Sequence, residues 1–380
     1  MDLQFDPSIP VEAATTPPAV WYTDPRVLEL ERRNVFEKAW VAVGRADQVA
    51  EPGRYFTGDV VGNPFVVLRD ESGKLRAFHN VCRHHAAVVA QECGKARELV
   101  CPYHGWTYRL DGSLRTAPRM GRMEGFDPKE FGLPPISVAT WGPLVLLDLD
   151  GHAGGENNPR DLAIDAAPLI GPLDELGFEH MRWVERRTYE MNCNWKVFVD
   201  NSLDGGYHVA YAHEGLAEGL AFDGYRTELF ERSAIQVCES SGADERLGEK
   251  VVYAWLYPNL FINRYGRMMD TNIVYPTAVD RCEVVFDFYV DADVPDGDDL
   301  QEWAAKRRLR KAIGASHVIQ NEDIEICEST QRGLGSMSFR TGRYSSQLER
   351  AVHAFHGMLY RDLSCEATSI SSESPRGGSV

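Results

Sequence analysis

Two short pairs of metal-binding side chains stand close together in this chain: Cys82 with His84, and Cys101 with His104, separated by 16 residues. Each pair joins one thiolate donor to one imidazole donor. Structural zinc sites usually group two cysteines at one knuckle and two histidines at the other. A two-iron, two-sulfide cluster with a Cys pair on one iron and a His pair on the other draws one ligand of each type from each of two hairpin loops. The mixed pairs fit that second pattern.

Pro102 and Gly105 flank the second pair, and tight turns of this kind aim backbone N–H groups at sulfides. The ligand set Cys82, His84, Cys101 and His104 is therefore read as a Rieske [2Fe-2S] centre, with zinc or plain core packing as the alternative. High-potential centres of this type carry a disulfide between the two loops. Ala87 and Tyr103 stand where those cysteines would be, which puts the cluster toward the low end of the range, near about −150 mV. His85 reads as a solvated imidazole or a neighbour of the ligands, and Cys93 as a loop or buried thiol.

A one-electron cluster cannot alone oxidise a substrate, so a second metal is expected further along. The stretch DNSLDGGYHVAYAH offers His208 and His213. Residues five apart on an ideal helix lie roughly 140° from each other, so both imidazoles meet one ion only if the helix is distorted or ends there. Gly205-Gly206 supplies the weak backbone. Asp204 precedes His208 by one turn, where its carboxylate can hold the non-ligating N–H of the imidazole, and Asn201 extends that stripe. Two histidines and one carboxylate make the facial triad of non-haem Fe(II) oxygenases. IQNEDIEICESTQRGL places Asp323 on one helical face with Ile319, Ile326 and Cys327, while Glu325 and Glu328 point elsewhere. An acid in an apolar stripe is costly unless paired or metal-bound, so Asp323 is the expected third ligand. Taken alone, this segment reads more readily as a solvated acidic helix with two core histidines, and the cluster ligands upstream reverse that preference.

These residues need elements to hold them. A helix is expected from Asp24 to Trp40, with Pro25 in its first turn and Leu28, Val35, Phe36 and Trp40 on one stripe. From Tyr55 to Leu149, short alternating strands with turn pairs at Gly62-Asn63, Ser72-Gly73 and Asp111-Gly112 describe a small antiparallel β domain. A Gly/Pro/Asp-rich connector covers 151–178. Beyond it come a strand near Arg182 to Met191, a helix from Asn194 to His213, strands around 251–257, 260–264, 271–276 and 282–290, and helices near 299–332 and 347–362. That order predicts an α+β domain with helices on one face of an antiparallel sheet. The resulting division is an N-terminal arm and helix over 1–40, the cluster domain over 41–150, the mononuclear-metal domain over 151–363 and a disordered Ser/Gly-rich tail over 364–380.

With 380 residues, two domains are the natural expectation, and a net charge of −17 argues against a nucleic-acid surface. Eight cysteines are too dilute for a disulfide scaffold, which leaves thiols free for metal in a reducing compartment. No signal-peptide pattern and no long apolar run is seen, so a cytoplasmic protein without membrane attachment is expected.

The order C-x-H, C-x2-H, a D/N-rich segment ending H-x4-H and a later helical Asp resembles the Rieske-type non-haem iron oxygenase α-subunits. Within that family, DNSLDGGYHVAYAH, YPNLFINRYG, NEDIEICESTQRGL and FRTGRYSSQLERAVHAFH resemble the choline-oxidising branch, from about residue 16 to 362. The resemblance implies a helix-grip, START-like catalytic domain, a mononuclear Fe(II) held by His208, His213 and Asp323, and a homotrimer in which the cluster of one subunit faces the iron of its neighbour. Asp204 would bridge the two across the interface. Many members place that acid three residues before the first His, where this chain has Gly205, and carry Arg where it has His85.

The implied activity uses O2 and electrons from a ferredoxin or an NAD(P)H-dependent reductase to hydroxylate a small quaternary ammonium substrate, choline to betaine aldehyde hydrate. The alternatives are N-demethylation or hydroxylation of a betaine-like amine or aromatic acid, and a Rieske electron carrier without catalysis. A trimethylammonium head donates no hydrogen bond, so aromatic faces and a carboxylate must recognise it. Candidates on or near the expected strands are Trp255, Tyr257, Phe261, Tyr265, Tyr275, Phe286 and Phe288, with Asp270; Arg267 could clamp a substrate carboxylate.

Overall fold

The computed structural model describes residues 4–121, 123–151, 161–295 and 300–364. The chain divides into two compact units, one made of Phe36–Ile164 and Gly177–His180, the other of Met1–Val35, Asp165–Leu176 and Met181–Val380. The tail expected to be disordered falls, from residue 365 on, outside the described residues. Among those residues no helix is long and apolar enough to cross a membrane.

The first unit is built from ten strands: β1 (Trp40–Arg45), β2 (Arg54–Val60), β3 (Asn63–Arg69), β4 (Leu75–His79), β5 (Cys93–Lys95), β6 (Glu98–Val100), β7 (Thr107–Arg109), β8 (Leu114–Thr116), β9 (Pro135–Trp141) and β10 (Leu144–Asp148). They form an antiparallel sheet in the order β1-β10-β9-β4-β3-β2-β5 and a smaller one, β6-β7-β8. The turn pairs read from sequence sit at hairpin bends, where Gly62, Gly73 and Gly112 have φ of 83°, 84° and 87°. Only glycine adopts such angles without strain. Cys82 and Cys101 are buried with Val66, Leu68, Phe78, Trp106 and Tyr108. Each large apolar side chain withdrawn from water there contributes about 1.5–3 kcal/mol to folding.

The second unit holds the remaining strands: β11 (Met181–Met191), β12 (Leu220–Leu229), β13 (Ser233–Ser240), β14 (Lys250–Leu256), β15 (Leu260–Tyr265), β16 (Met268–Ala278) and β17 (Arg281–Asp291). They make one antiparallel sheet, ordered β11-β17-β16-β15-β14-β13-β12. The helices are α1 (Val20–Thr23), α2 (Pro25–Glu31), α3 (Leu162–Asp174) in the connector, α4 (Trp195–Leu203), α5 (Val209–Ala212), α6 (Glu214–Ala217), α7 (Leu300–Leu334) and α8 (Arg350–Ser364). Helix α4 contacts α7, α8, β16 and β17, and α7 also meets β11. The α+β architecture expected from the strand and helix order is present.

Three expectations differ from the structure. The helix placed over Asp24 to Trp40 starts as expected, with the Asp24 side chain capping the Arg26 amide, but α2 ends at Glu31. A wider π-turn covers Arg32–Phe36, and Trp40 opens β1 because its side chain is claimed by a sheet core. The single helix from Asn194 to His213 is two pieces, α4 and α5, parted at Gly205 and Gly206, whose φ values are 71° and 73°. Strands β12 and β13 were not foreseen; β12 carries a bulge between Ala221 and Arg226 that breaks its alternation.

Candidate active site and cluster loops

In the first unit, the two cysteine–histidine pairs lie on two loops with the same hydrogen-bond plan. Cys82 N–H donates to Ala87 O at 2.8 Å and Ala86 N–H to Cys82 O at 2.9 Å; Cys101 N–H donates to Trp106 O at 2.8 Å and Gly105 N–H to Cys101 O at 3.1 Å. Both loops close through a left-handed residue, Ala86 at φ 58° and Gly105 at φ 72°. The backbone amides of Tyr103 and His104 aim at the Cys101 sulfur. The Tyr108 hydroxyl lies 3.3 Å from Cys82 Sγ and accepts from the Arg83 amide at 3.0 Å.

The two histidines come together as the spacing requires, with ring centroids 4.6 Å apart. His84 stacks on Trp106 at 4.8 Å, and its Nδ1 is buried with no hydrogen-bond partner. An orphaned ring nitrogen beside two buried thiols is costly unless a metal takes its lone pair. The four residues thus fit a [2Fe-2S] cluster. His85 and Cys93 are exposed, His85 with its ring 4.1 Å from that of His84.

In the second unit, the break after α4 does the positioning. Asp204 ends α4, and its carboxylate accepts from the amides of Tyr207 and His208 at 3.0 and 2.9 Å, so it caps the short turn leading into α5. It also meets His208 Nδ1 at 2.7 Å. His208 and His213 then bracket α5 as its two caps. A Cβ on Gly205 would lie 2.5 Å from the Leu348 carbonyl oxygen, so the backbone just ahead of α8 packs directly on this break.

Helix α7 supplies the carboxylate. Donor atoms of His208, His213 and Asp323 all lie within 4.8 Å of one another, the one such group found among the described residues. Asp323 Oδ1 stands 3.1 Å from His213 Nε2, 3.6 Å from His208 Nε2 and 2.8 Å from the Asn201 side-chain amide that donates to it. His213 is buried, and its Nδ1 meets Glu322 Oε2 at 2.6 Å. Burial opposes charge on His213, yet Asp323 and Glu322 outweigh it and hold the imidazole above its usual range. With each Nδ1 engaged by an acid, both Nε2 atoms are left for an ion. Two imidazoles and a carboxylate fit a ferrous ion. Glu322 is the member of this set that sequence reasoning passed over. Nothing in its spacing sets it apart from a solvated glutamate of α7.

The cavity containing these residues is also lined by Phe261, Tyr265, Asp270 and Phe286, together with Tyr225, Tyr253 and Arg246, which sequence reading did not select. Asp270 is buried and accepts from the Tyr265 hydroxyl and the amides of Asn263 and Asn272, each at 2.8 Å. Burial pushes its carboxyl up, and those donors pull against it.

The other substrate candidates lie elsewhere. Trp255 packs edge-on to Phe355 of α8 at 5.5 Å, and the Tyr257 hydroxyl donates to Asp362 at 2.8 Å beneath the same helix. Tyr275 sits near Arg186, Glu283 and Asp287, and Phe288 is sealed in the core. Arg267 pairs with Asp291 at 3.1 Å and with Asp293, on an outer hollow lined also by Arg308 and Lys311. Its charge is already spent there. Arg246 is the guanidinium that reaches the cavity, with its Nε 3.2 Å from Asp244.

Residues 39–131 match the Rieske [2Fe-2S] domain, and residues 178–364 match the ring hydroxylating alpha subunit catalytic domain. The chain is 44% identical to the chloroplastic choline monooxygenase of Arabidopsis thaliana, over 95% of this chain and 86% of that protein. It belongs to the Rieske non-haem iron oxygenases. Among other members of this oxygenase family it is 30% identical to the carnitine monooxygenase oxygenase subunit of Acinetobacter pittii, over 92% of this chain and 93% of that one. A solved structure of the quaternary ammonium Rieske monooxygenase CntA with L-carnitine superposes with a TM-score of 0.79 at 26% identity, covering 95% and 99% of the two chains. Oxygenases of this family use a Rieske cluster and a mononuclear iron, and each of the two units of this chain offers a donor set that fits one of them.

Proposed function

We propose that this oxygenase hydroxylates a small quaternary ammonium compound, with choline, converted to betaine aldehyde hydrate, as the leading substrate. The observation that carries the reading is Asp270. It is a buried carboxylate in the same cavity as His208, His213 and Asp323, and its hydrogen-bond donors are all neutral. A permanent cation placed there gains a charge partner and the faces of Tyr253, Phe261, Tyr265 and Phe286. The sequence similarity to choline monooxygenases supports the same substrate class.

In this reading Cys82, His84, Cys101 and His104 hold the cluster, and His208, His213 and Asp323 hold the iron. The bound ferrous ion would supply activation of O2, with the balance R–H + O2 + two electrons + two protons giving R–OH and water. The protein's own part is to orient and to desolvate. Asp204 and Asn201 fix one imidazole and the carboxylate, and Asp270 anchors the ammonium head so that the carbinol carbon is turned toward the iron ligands. Electrons come from a ferredoxin or NAD(P)H-dependent reductase. The working assembly is a homotrimer in which Asp204 links the iron site to a neighbouring subunit's cluster, and the compartment is the cytoplasm.

Arg246 favours one second reading. A guanidinium on the cavity wall suits a substrate that also bears a carboxylate, whose N-methyl hydroxylation would release formaldehyde. Coupled NADH and O2 consumption with choline, glycine betaine, carnitine and aromatic acids tests both. Betaine aldehyde from choline supports the first reading and formaldehyde from a betaine the second. Turnover of aromatic acids alone removes the quaternary ammonium assignment.

A further inference from the structure

We infer that Glu322 is a positioning residue for the iron: it fixes the ring of His213 from behind and thereby sets how tightly the ion is held. The inference rests on the iron-site reading above and deepens it. The two histidines are braced in different ways. His208 is held by Asp204, four residues earlier on its own segment, so that brace is local. His213 is held on both nitrogens by consecutive residues of one distant helix, Glu322 Oε2 at 2.6 Å from Nδ1 and Asp323 Oδ1 at 3.1 Å from Nε2.

Consecutive residues on an α-helix diverge by about 100°, so two neighbouring acids do not normally converge on one partner. They do so here because the two ring nitrogens point in different directions, so one imidazole spans the gap between the two acids. Glu322 is 40% exposed on its side chain whereas His213 is 1% exposed. Its carboxylate can therefore stay hydrated on one side while accepting from a buried donor on the other, which spares it the desolvation that a fully buried acid suffers. An acid in this position fixes the tautomer that leaves Nε2 free and makes the ring a better ligand. No other hydrogen bond to His213 Nδ1 competes for the role among the described residues.

The test is metal uptake, read independently of turnover. Full-length protein with its cluster intact is stripped of mononuclear metal by a mild chelator and titrated with Co(II), followed by the visible bands of the bound ion. Glu322→Ala is expected to bind about 10- to 100-fold more weakly than the unmodified protein. Glu322→Gln, which keeps an acceptor without the charge, should fall between. Glu325→Gln, on the exposed side of the same helix, should bind as the unmodified protein does. Cluster absorbance and thermal midpoint, unchanged in the variants, separate a brace from a fold defect. Should Glu322→Ala fail to fold, a Gln variant equal to the unmodified protein in both affinity and band position would overturn the inference. Equal affinity in Glu322→Ala overturns it outright. Unmodified protein that takes up no Co(II) overturns the iron-site reading itself, a distinguishable outcome.

Discussion

The side-chain amide of Asn201 donates to Oδ1 of Asp323 at 2.8 Å, joining α4 to α7 at the carboxylate that completes the three-residue donor set. The bond occupies one lone pair of an oxygen that also faces both imidazoles, so it restricts which way the carboxylate turns. Asn201→Ala frees that rotation. Activity is expected to fall about 10-fold or more, with iron lost faster on dialysis. Steady-state rates beside iron analysis check this, and retention of full rate with full iron would count against a bracing role.

His213→Ala separates catalysis from electron storage. The oxygenase reading expects about three irons per chain, two in the cluster and one between His208, His213 and Asp323, whereas an electron carrier needs two. The variant should keep the cluster's visible spectrum, drop to about two irons and lose turnover. A variant that still holds the third iron would move the metal elsewhere.

Asp270→Asn removes the negative charge and keeps the shape and the neighbouring amides. At an effective dielectric of about 20, two unit charges roughly 6–10 Å apart attract by about 1.5–3 kcal/mol, so KM for a quaternary ammonium substrate should rise about 10- to 100-fold with the metal content unchanged. Substrate titration of O2 uptake gives the number. An unchanged KM would detach Asp270 from cation recognition.

Acid sensitivity in the first unit is expected at Asp70, which organises the β3–β4 turn by accepting from Ser72, from the Lys74 amide and from Arg76. Burial would raise its carboxyl, but those donors prevail and bring it to about 2. A carboxyl depressed in the folded state adds stability that is present above its unfolded value, near 4, and is lost as pH falls toward 2. Allowing for solvent screening, the contribution is on the order of 1 kcal/mol. Unfolding midpoints measured from pH 6 down to pH 2.5 should show the unmodified protein losing ground against Asp70→Asn; parallel curves would refute the assignment.

Sequence legibility followed how local each feature is. The cluster loops were readable because all four donors lie on two short hairpin bends, where spacing fixes geometry. Asp323 was readable because an acid in an apolar helical stripe needs a reason. Glu322, its neighbour, carried no such signal: an acid on a partly solvated face looks like any surface glutamate until the fold brings His213 against it. Of the strand aromatics, Phe261, Tyr265 and Phe286 reach the cavity, whereas Trp255, Tyr257, Tyr275 and Phe288 do not, for another reason. Tyr253 and Trp255 share a face of β14, yet Tyr253 alone of the two reaches the cavity, since Phe355 of α8 covers Trp255. Alternation reports the face of a sheet and says nothing about which helix will lie on it. Tyr225 escaped because the bulge in β12 hides the strand that carries it.

The contact between Gly205 and the Leu348 carbonyl decides at which position an acid can stand. An acid transplanted from 204 to 205 would meet a rigid peptide oxygen at 2.5 Å, and no rotamer could relieve the collision. For an acid to stand at 205 in this chain, the main chain just ahead of α8 would have to take another course. Where the carboxylate that holds His208 can stand is thus enforced by a stretch of main chain more than a hundred residues away in sequence.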